Sequence, residues 1–239
     1  MRACFAALAK RFRTIAGVRR HLSAAIAYAV AVDMVAIATE LGDAGRCVCP
    51  NFLLPALQRD VRLDLDAAYR AGQFSRAGTG QGTSHLVRDD VRRDEVYWPD
   101  QAQANAVQLQ LWAKTAALMQ AINRTLFLGL HAFEGHYASY AAGGFYQRHV
   151  DAFADDDARM VSLVLYLNHD WQPSDGGRLR MYDQAAHVDV APLGGTLVCF
   201  LSREVEHEVM PTTAARFSFV GWYKTAAASG PKRKSRARG

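Results

Sequence analysis

Three side chains stand out for the chemistry they could do together: His149 and Asp151, in His149-Val150-Asp151, and His207 further along the chain. On an extended strand the two-residue spacing sends an imidazole and a carboxylate to the same face. With His207 opening a later strand, they make a set of two histidines and one carboxylate. Such a set fills three positions on an octahedral iron(II) and leaves three for substrates and dioxygen. Nine residues after His207 comes Arg216, in the otherwise apolar Arg216-Phe217-Ser218-Phe219-Val220-Gly221-Trp222-Tyr223. A buried arginine is costly unless an anion pairs with it, and a carboxylate gripped by both arms of the guanidinium meets that need.

A second pair, His187-Val188-Asp189, has the same spacing and competes for the metal role. Only 17 residues separate Asp189 from His207, against 55 between Asp151 and His207. A barrel needs several strands between its ligands, so 187–189 reads as a surface turn and strand. His131, His136 and His169 read as ordinary hydrogen-bonded or exposed histidines, and His85 as a loop residue. Asp155-Asp156-Asp157 reads as a solvated turn rather than a cation site.

Positioning these groups falls to a run of short strands. Residues 136–140, 147–153, 160–167, 178–182, 188–190, 196–201, 207–209 and 216–223 alternate or run apolar between Gly, Pro, Asp and Ser turns. Eight such strands predict a jelly-roll barrel. Before them, Leu57, Val61, Leu65 and Ala68 recur at helical spacing behind Pro55, and Val107, Leu111, Leu118, Ile122 and Leu126 do so within 101–130. The fold class is therefore α+β and mainly β, a double-stranded β-helix with N-terminal helices packed on one face. Between the helices, residues 72–98 carry Gly72, Gly78, Gly80 and Gly82 and then the strand-like 91–98. That segment suits a lid that covers a substrate.

Four motifs in this order resemble the 2-oxoglutarate oxygenases of the prolyl 4-hydroxylase superfamily. They are Tyr146-Gln147-Arg148-His149-Val150-Asp151, Leu165-Tyr166-Leu167-Asn168, Gly176-Gly177-Arg178-Leu179-Arg180, and His207-Glu208-Val209-Met210-Pro211 running on through Arg216 to Trp222-Tyr223. The likeness covers about residues 45–224 and is greatest to the oxygen-sensing prolyl hydroxylases and their bacterial relatives. It implies an iron(II)- and 2-oxoglutarate-dependent dioxygenase that hydroxylates a proline of a protein substrate and releases succinate and carbon dioxide. Dioxygen is then the other cosubstrate and ascorbate a stimulant. Position by position, the resemblance implies that His149, Asp151 and His207 hold the metal. Arg216 takes the far carboxylate of 2-oxoglutarate with help from the Tyr166 hydroxyl, and Tyr140 lies beside the cosubstrate. Arg159 and Trp222 line the substrate entrance, and Arg92 and Asp94 belong to the loop over it. The chain departs from the animal enzymes around Gly143-Gly144 and in its Gly-rich loop, which leaves peptide preference open. A translation factor is a target of the kind that bacterial relatives suggest. The alternatives are hydroxylation of a free amino acid or other small molecule, and a sensor of 2-oxoglutarate or metal without catalysis.

Charge and cysteine usage narrow the remaining choices. The net charge of +5 is carried by the ends: six Lys/Arg and no acid in residues 1–32, and five Lys/Arg in the last eight. The remaining body is near −6. A nucleic-acid binder carries its positive charge on the folded surface, so only the tail suits nucleic acid. Dealkylases of nucleic acids place a second arginine six residues after the cosubstrate arginine, where this chain has Trp222. Cys4, Cys47, Cys49 and Cys199 show neither a disulfide framework nor paired CxxC spacing, which reads as reduced thiols in a cytoplasmic protein. The apolar run 22–32 is too short to span a membrane. Residues 1–33 read as a basic N-terminal extension, either disordered or lying upstream of a start at Met34, with a signal or transit peptide as the alternative; residues 34–228 read as the oxygenase domain, and 229–239 as a basic disordered tail.

Overall fold

The computed structural model describes residues 32–78, 86–152, 158–183 and 186–226. Among these residues three helices precede or interrupt the first strands: α1 (Met34–Ala44), α2 (Pro55–Arg70) and α3 (Ala106–Leu126). The strands are β1 (Arg46–Cys49), β2 (Ser75–Arg76), β3 (Asp94–Tyr97), β4 (Ala132–Tyr140), β5 (Tyr146–His149), β6 (Arg159–Tyr166), β7 (Leu179–Asp183), β8 (Ala186–Val190), β9 (Leu197–Leu201), β10 (His207–Val209) and β11 (Arg216–Lys224). They form two antiparallel sheets, a seven-stranded one ordered β1-β9-β6-β11-β4-β3-β2 and a four-stranded one ordered β5-β10-β7-β8. All eight strands expected from 136 onward are present. The mainly-β barrel class holds, with a further helix, α1, that the periodicity does not flag.

Helix boundaries follow their caps. The helix expected over 101–130 starts only at Ala106, because Asn105 forms a capping box with Gln108. It stops at Leu126, where Phe127 turns left-handed (φ 55°) and the Asn123 side chain ties both backbone groups of Leu130. Asp33 caps α1 by accepting from Val35 N and Ala36 N at 2.9 and 3.0 Å.

The alternation of β11 divides the molecule into layers. Phe217, Phe219 and Tyr223 face the helices: Arg62 sits over the Phe217 ring, Trp112 meets Phe219 edge-on, and the Tyr223 hydroxyl donates to Thr115 O at 2.8 Å. Tyr137 of β4 joins them by donating to Asp64 of α2 at 2.8 Å. The residues between them, Arg216, Val220 and Trp222 on β11 and His136, Ala138 and Tyr140 on β4, line a cavity between the two sheets. Below that cavity Tyr166, Leu179, Met181, Val198, Phe200 and Val209 fill the barrel core. The register sets Arg216 opposite Tyr140 and Val220 opposite His136, so one end of the cavity is basic and the other aromatic. Among the described residues no helix is long and apolar enough to cross a membrane.

Candidate active site

His149 ends β5 and His207 opens β10, and the two strands pair with these residues opposite each other. Sheet pairing thus brings together imidazoles that lie far apart in the chain. Their rings are 4.3 Å apart, and the Asp151 Oδ1 lies 3.5 Å from His149 Nε2 and 3.7 Å from His207 Nε2. Ligand atoms of all three lie within 4.8 Å of one another, and no other such group of His, Cys, Asp or Glu occurs among the described residues. Each Nδ1 faces a carbonyl: Gln147 O at 2.6 Å for His149, and Val205 O at 3.1 Å for His207. A proton held at Nδ1 leaves Nε2 with its lone pair toward the cavity, as a metal ligand requires.

Asp151 does not reach this position from the strand, as the spacing suggested. The backbone leaves β5 after His149, and the N–H groups of Asp151 and Ala152 both donate to Ser202 O at 3.2 Å. The carboxylate is then fixed from behind. Ser162 Oγ donates to Asp151 Oδ2 at 2.6 Å and lies 2.9 Å from Ser202 Oγ, with both serines fully buried. One oxygen is occupied by serine and the other is presented to the imidazoles. Burial alone would raise the Asp151 pKa, but His207, His149 and Ser162 outweigh it and hold the carboxyl well below its ordinary range. Burial keeps the His207 imidazole below its usual pKa, against the pull of Asp151.

At the basic end, Arg216 is 1% exposed and donates through Nε to Gly177 O at 2.8 Å. Its Nη2 has no hydrogen-bond partner, and neither do the buried hydroxyls of Tyr166 and Ser218. The rings of Tyr140 and Tyr166 lie 5.1 and 5.2 Å from the guanidinium carbon. Buried polar atoms left unpaired in one place are the signature of a missing polar ligand. A cavity of about 310 Å³ runs from Arg216 past the two histidines to Trp98. A carboxylate fits Arg216, and a metal fits the convergent nitrogen and oxygen donors. Gly177 keeps this end open: it is left-handed (φ 58°), and a Cβ there would lie 3.1 Å from the Arg216 side chain. Burial pushes the Tyr166 hydroxyl up to about 12, partly offset by the Arg216 charge.

The other residues named from the sequence lie around the mouth of the cavity. Arg159 stacks on Trp222 at 3.7 Å and pairs with Glu134 at 2.8 Å. Arg92 and Asp94 form a two-pronged ion pair (2.7 and 2.6 Å) under the Tyr146 ring. Both lie in the strand-like stretch 91–98 of the expected lid, and Asp94 opens β3, paired into the large sheet opposite Tyr140. Arg92, Asp94, Arg159 and Trp222 all line the cavity, while Tyr166 is fully buried beside Arg216.

The competing pair at 187–189 is spent elsewhere, since Asp189 is gripped by Arg180 at 2.7 and 2.8 Å on β8. His131 is exposed and His169 meets Gln58, as ordinary histidines do. His136 departs from that expectation: it is 3% exposed, lines the cavity and has no partner for Nδ1. Burial takes its pKa down to about 3, with Arg92 and Arg159 acting in the same direction. Ser218 was also missed, although its place two residues after Arg216 puts it on the same strand face. Ser162 showed only as a lone serine in the otherwise apolar and aromatic run 161–167. His85, residues 153–157 with the aspartate run, the centre of the Gly-rich segment at 79–85, Cys4 and both basic tails lie outside the described residues.

A family model of the 2OG-Fe(II) oxygenase superfamily matches residues 135–224, the stretch that carries the triad and Arg216. The crystal structure of a Pseudomonas putida prolyl-4-hydroxylase is 41% identical, with a TM-score of 0.74, and the alignment covers 80% of this chain and 98% of that one. The chain belongs to the 2-oxoglutarate- and iron(II)-dependent oxygenase superfamily. A second structure similar to this family member is a Trichoplax adhaerens prolyl hydroxylase in complex with a hypoxia inducible factor peptide fragment. It is 27% identical, with a TM-score of 0.71, covering 79% of this chain and 87% of that one. Among curated proteins, a Caenorhabditis elegans hypoxia-inducible factor prolyl hydroxylase is 29% identical over 201 residues. That match takes in 77% of this chain but only 27% of the nematode protein.

Proposed function

We propose that this protein is an iron(II)- and 2-oxoglutarate-dependent dioxygenase that hydroxylates a proline in a protein substrate. The observation that carries the reading is one cavity holding both a convergent His149–Asp151–His207 set and a buried Arg216 with an unpaired arm. Overall, the substrate C–H, dioxygen and 2-oxoglutarate give the alcohol, succinate and carbon dioxide, one oxygen atom going to each organic product. Iron(II), when bound, supplies the activation of dioxygen that couples decarboxylation to hydroxylation.

In this reading His149 Nε2, His207 Nε2 and Asp151 Oδ1 hold the metal, while Ser162 occupies the second aspartate oxygen. Arg216 Nη2, Tyr166 Oη and Ser218 Oγ bind the far carboxylate of 2-oxoglutarate, a charge-assisted contact in a site shielded from water. Tyr140 flanks the cosubstrate, and Arg159, Trp222, Arg92 and Asp94 wall the approach of the second substrate. A protein target is supported by the similar hydroxylases, one of them bound to a peptide fragment. A cytoplasmic translation factor is the target we would test first.

The test is mass spectrometry of proline-containing peptides after incubation with the protein, iron(II) and 2-oxoglutarate, with succinate measured in parallel. A gain of one oxygen on proline, matched by succinate, is expected. Succinate with hydroxylated free amino acids and no hydroxylated peptide would replace the protein substrate by a small one. No metal-dependent succinate at all would overturn the enzymatic reading.

A further inference from the structure

Burying an imidazole with an unpaired nitrogen costs free energy, and His136 occupies a place where an apolar side chain would complete the wall. It sits between Trp98, with ring centres 4.5 Å apart, and Trp222, at 5.5 Å. Trp98 is 50% exposed at the mouth, so His136 stands one ring inward from solvent. A buried polar atom without a partner calls for an explanation, and beside a cavity a ligand is one that can be tested.

The ladder shows which ligand that is. His136 is opposite Val220, four residues along β11 from Arg216. At roughly 3.3 Å per residue this is about 13 Å. A five-carbon diacid with C–C bonds of about 1.5 Å is shorter than that, so one anchored at Arg216 leaves the His136 end to the second substrate. The charges nearby narrow its chemistry. Burial first, and then Arg92 and Arg159, disfavour an imidazolium against the pull of Asp151, so the ring is held toward its neutral form. A neutral imidazole donates at one nitrogen and accepts at the other, which matches a peptide N–H or C=O rather than an ion.

We propose that His136 is a specificity-determining residue that hydrogen-bonds the backbone amide beside the target proline, between the Trp98 and Trp222 rings. This deepens the prolyl-hydroxylase reading and rests on it. Peptides are thereby selected over free proline, which lacks an amide.

The test uses the full chain as wild type, His136→Leu and His136→Gln, with iron(II), 2-oxoglutarate and the proline peptide that the wild type turns over best. His136→Leu should raise the KM for peptide about tenfold while the KM for 2-oxoglutarate and iron binding by calorimetry stay near wild type. His136→Gln, which keeps a donor and an acceptor, should recover most of that loss. Should His136→Leu not fold, His136→Met fills a similar space. Two backbone probes separate recognition from packing: the same peptide with an ester after the proline, and with a thioamide before it. One of them should weaken wild-type binding and leave His136→Leu unaffected. Equal KM values in wild type and His136→Leu, or equal sensitivity of both to the two probes, would overturn the assignment. Failure of the wild type to hydroxylate any peptide while still forming succinate is a different result, and sinks the protein-substrate reading along with it.

Discussion

At the residue scale the proposed site divides into groups assigned to touch ligands and groups assigned to aim them. Arg216→Lys keeps the charge and loses the planar fork, so the KM for 2-oxoglutarate should rise by one order of magnitude or more. A hydrogen bond to a charged partner is worth about 1.5–3 kcal/mol, or roughly ten- to a hundredfold. Tyr166→Phe and Ser218→Ala, each removing one hydroxyl from that carboxylate, should be milder. A steady-state titration of 2-oxoglutarate decides this, and unchanged KM in Arg216→Ala would remove the carboxylate role. Ser162→Ala frees the second oxygen of Asp151, so iron(II) affinity should fall about tenfold, with Ser162→Thr restoring it. Wild-type metal affinity in Ser162→Ala would show that the hydroxyl orients nothing. His136 also leaves a mark on stability. Its folded pKa near 3 lies below the ordinary 6.5, so between those values the unfolded chain binds the extra proton. Stability should therefore fall as pH drops through that window, by at most about 1.4 kcal/mol per pH unit from this group. Denaturant titrations should show a flatter acid limb in His136→Leu.

At the element scale the caps and one turn matter most. Asp33→Ala removes the side-chain cap at the start of α1, whose Ile37, Ala38 and Leu41 are buried. A loss of about 1 kcal/mol is expected in urea melts. Gly177→Ala forces a side chain into a left-handed position and against Arg216. It should weaken 2-oxoglutarate binding as well as stability, whereas a cap variant should change stability alone. Cosubstrate KM measured on both proteins tests that contrast.

At the scale of the whole molecule, the site is a product of layering. Helices cover the outer face of the seven-stranded sheet through Phe217, Phe219 and Tyr223, which holds the inner face of β11 rigid along the cavity. Residues 32–228 contain every group placed in the site together with the Asp33 cap. A chain trimmed to that range should fold and retain turnover, as judged by circular dichroism and succinate release. Insolubility or loss of turnover would assign a structural part to the basic ends.

The proposed ligand chemistry was legible in the sequence because the residues assigned to it are unusual for where they stand. A His-x-Asp pair before an apolar run, a late histidine and an arginine inside an apolar strand each violate the pattern around them. Alternation with period two was enough for the eight strands, and it could have reached Ser218 as well. What only the tertiary structure decided was which side chains meet across strands. The spacing had already favoured His149 over His187; the structure adds that β5 pairs with β10 to set His149 opposite His207, and that Arg180 grips Asp189 with both arms. The bend after His149 delivered Asp151 through Ser202 and Ser162, contacts between segments that local periodicity cannot register. His136 looked ordinary for the same reason: its meaning lies in Val220 opposite it and in the two tryptophans beside it. Sequence records a residue's type and its neighbours along the chain, whereas burial, pairing and the lack of a partner are properties of the packed layers.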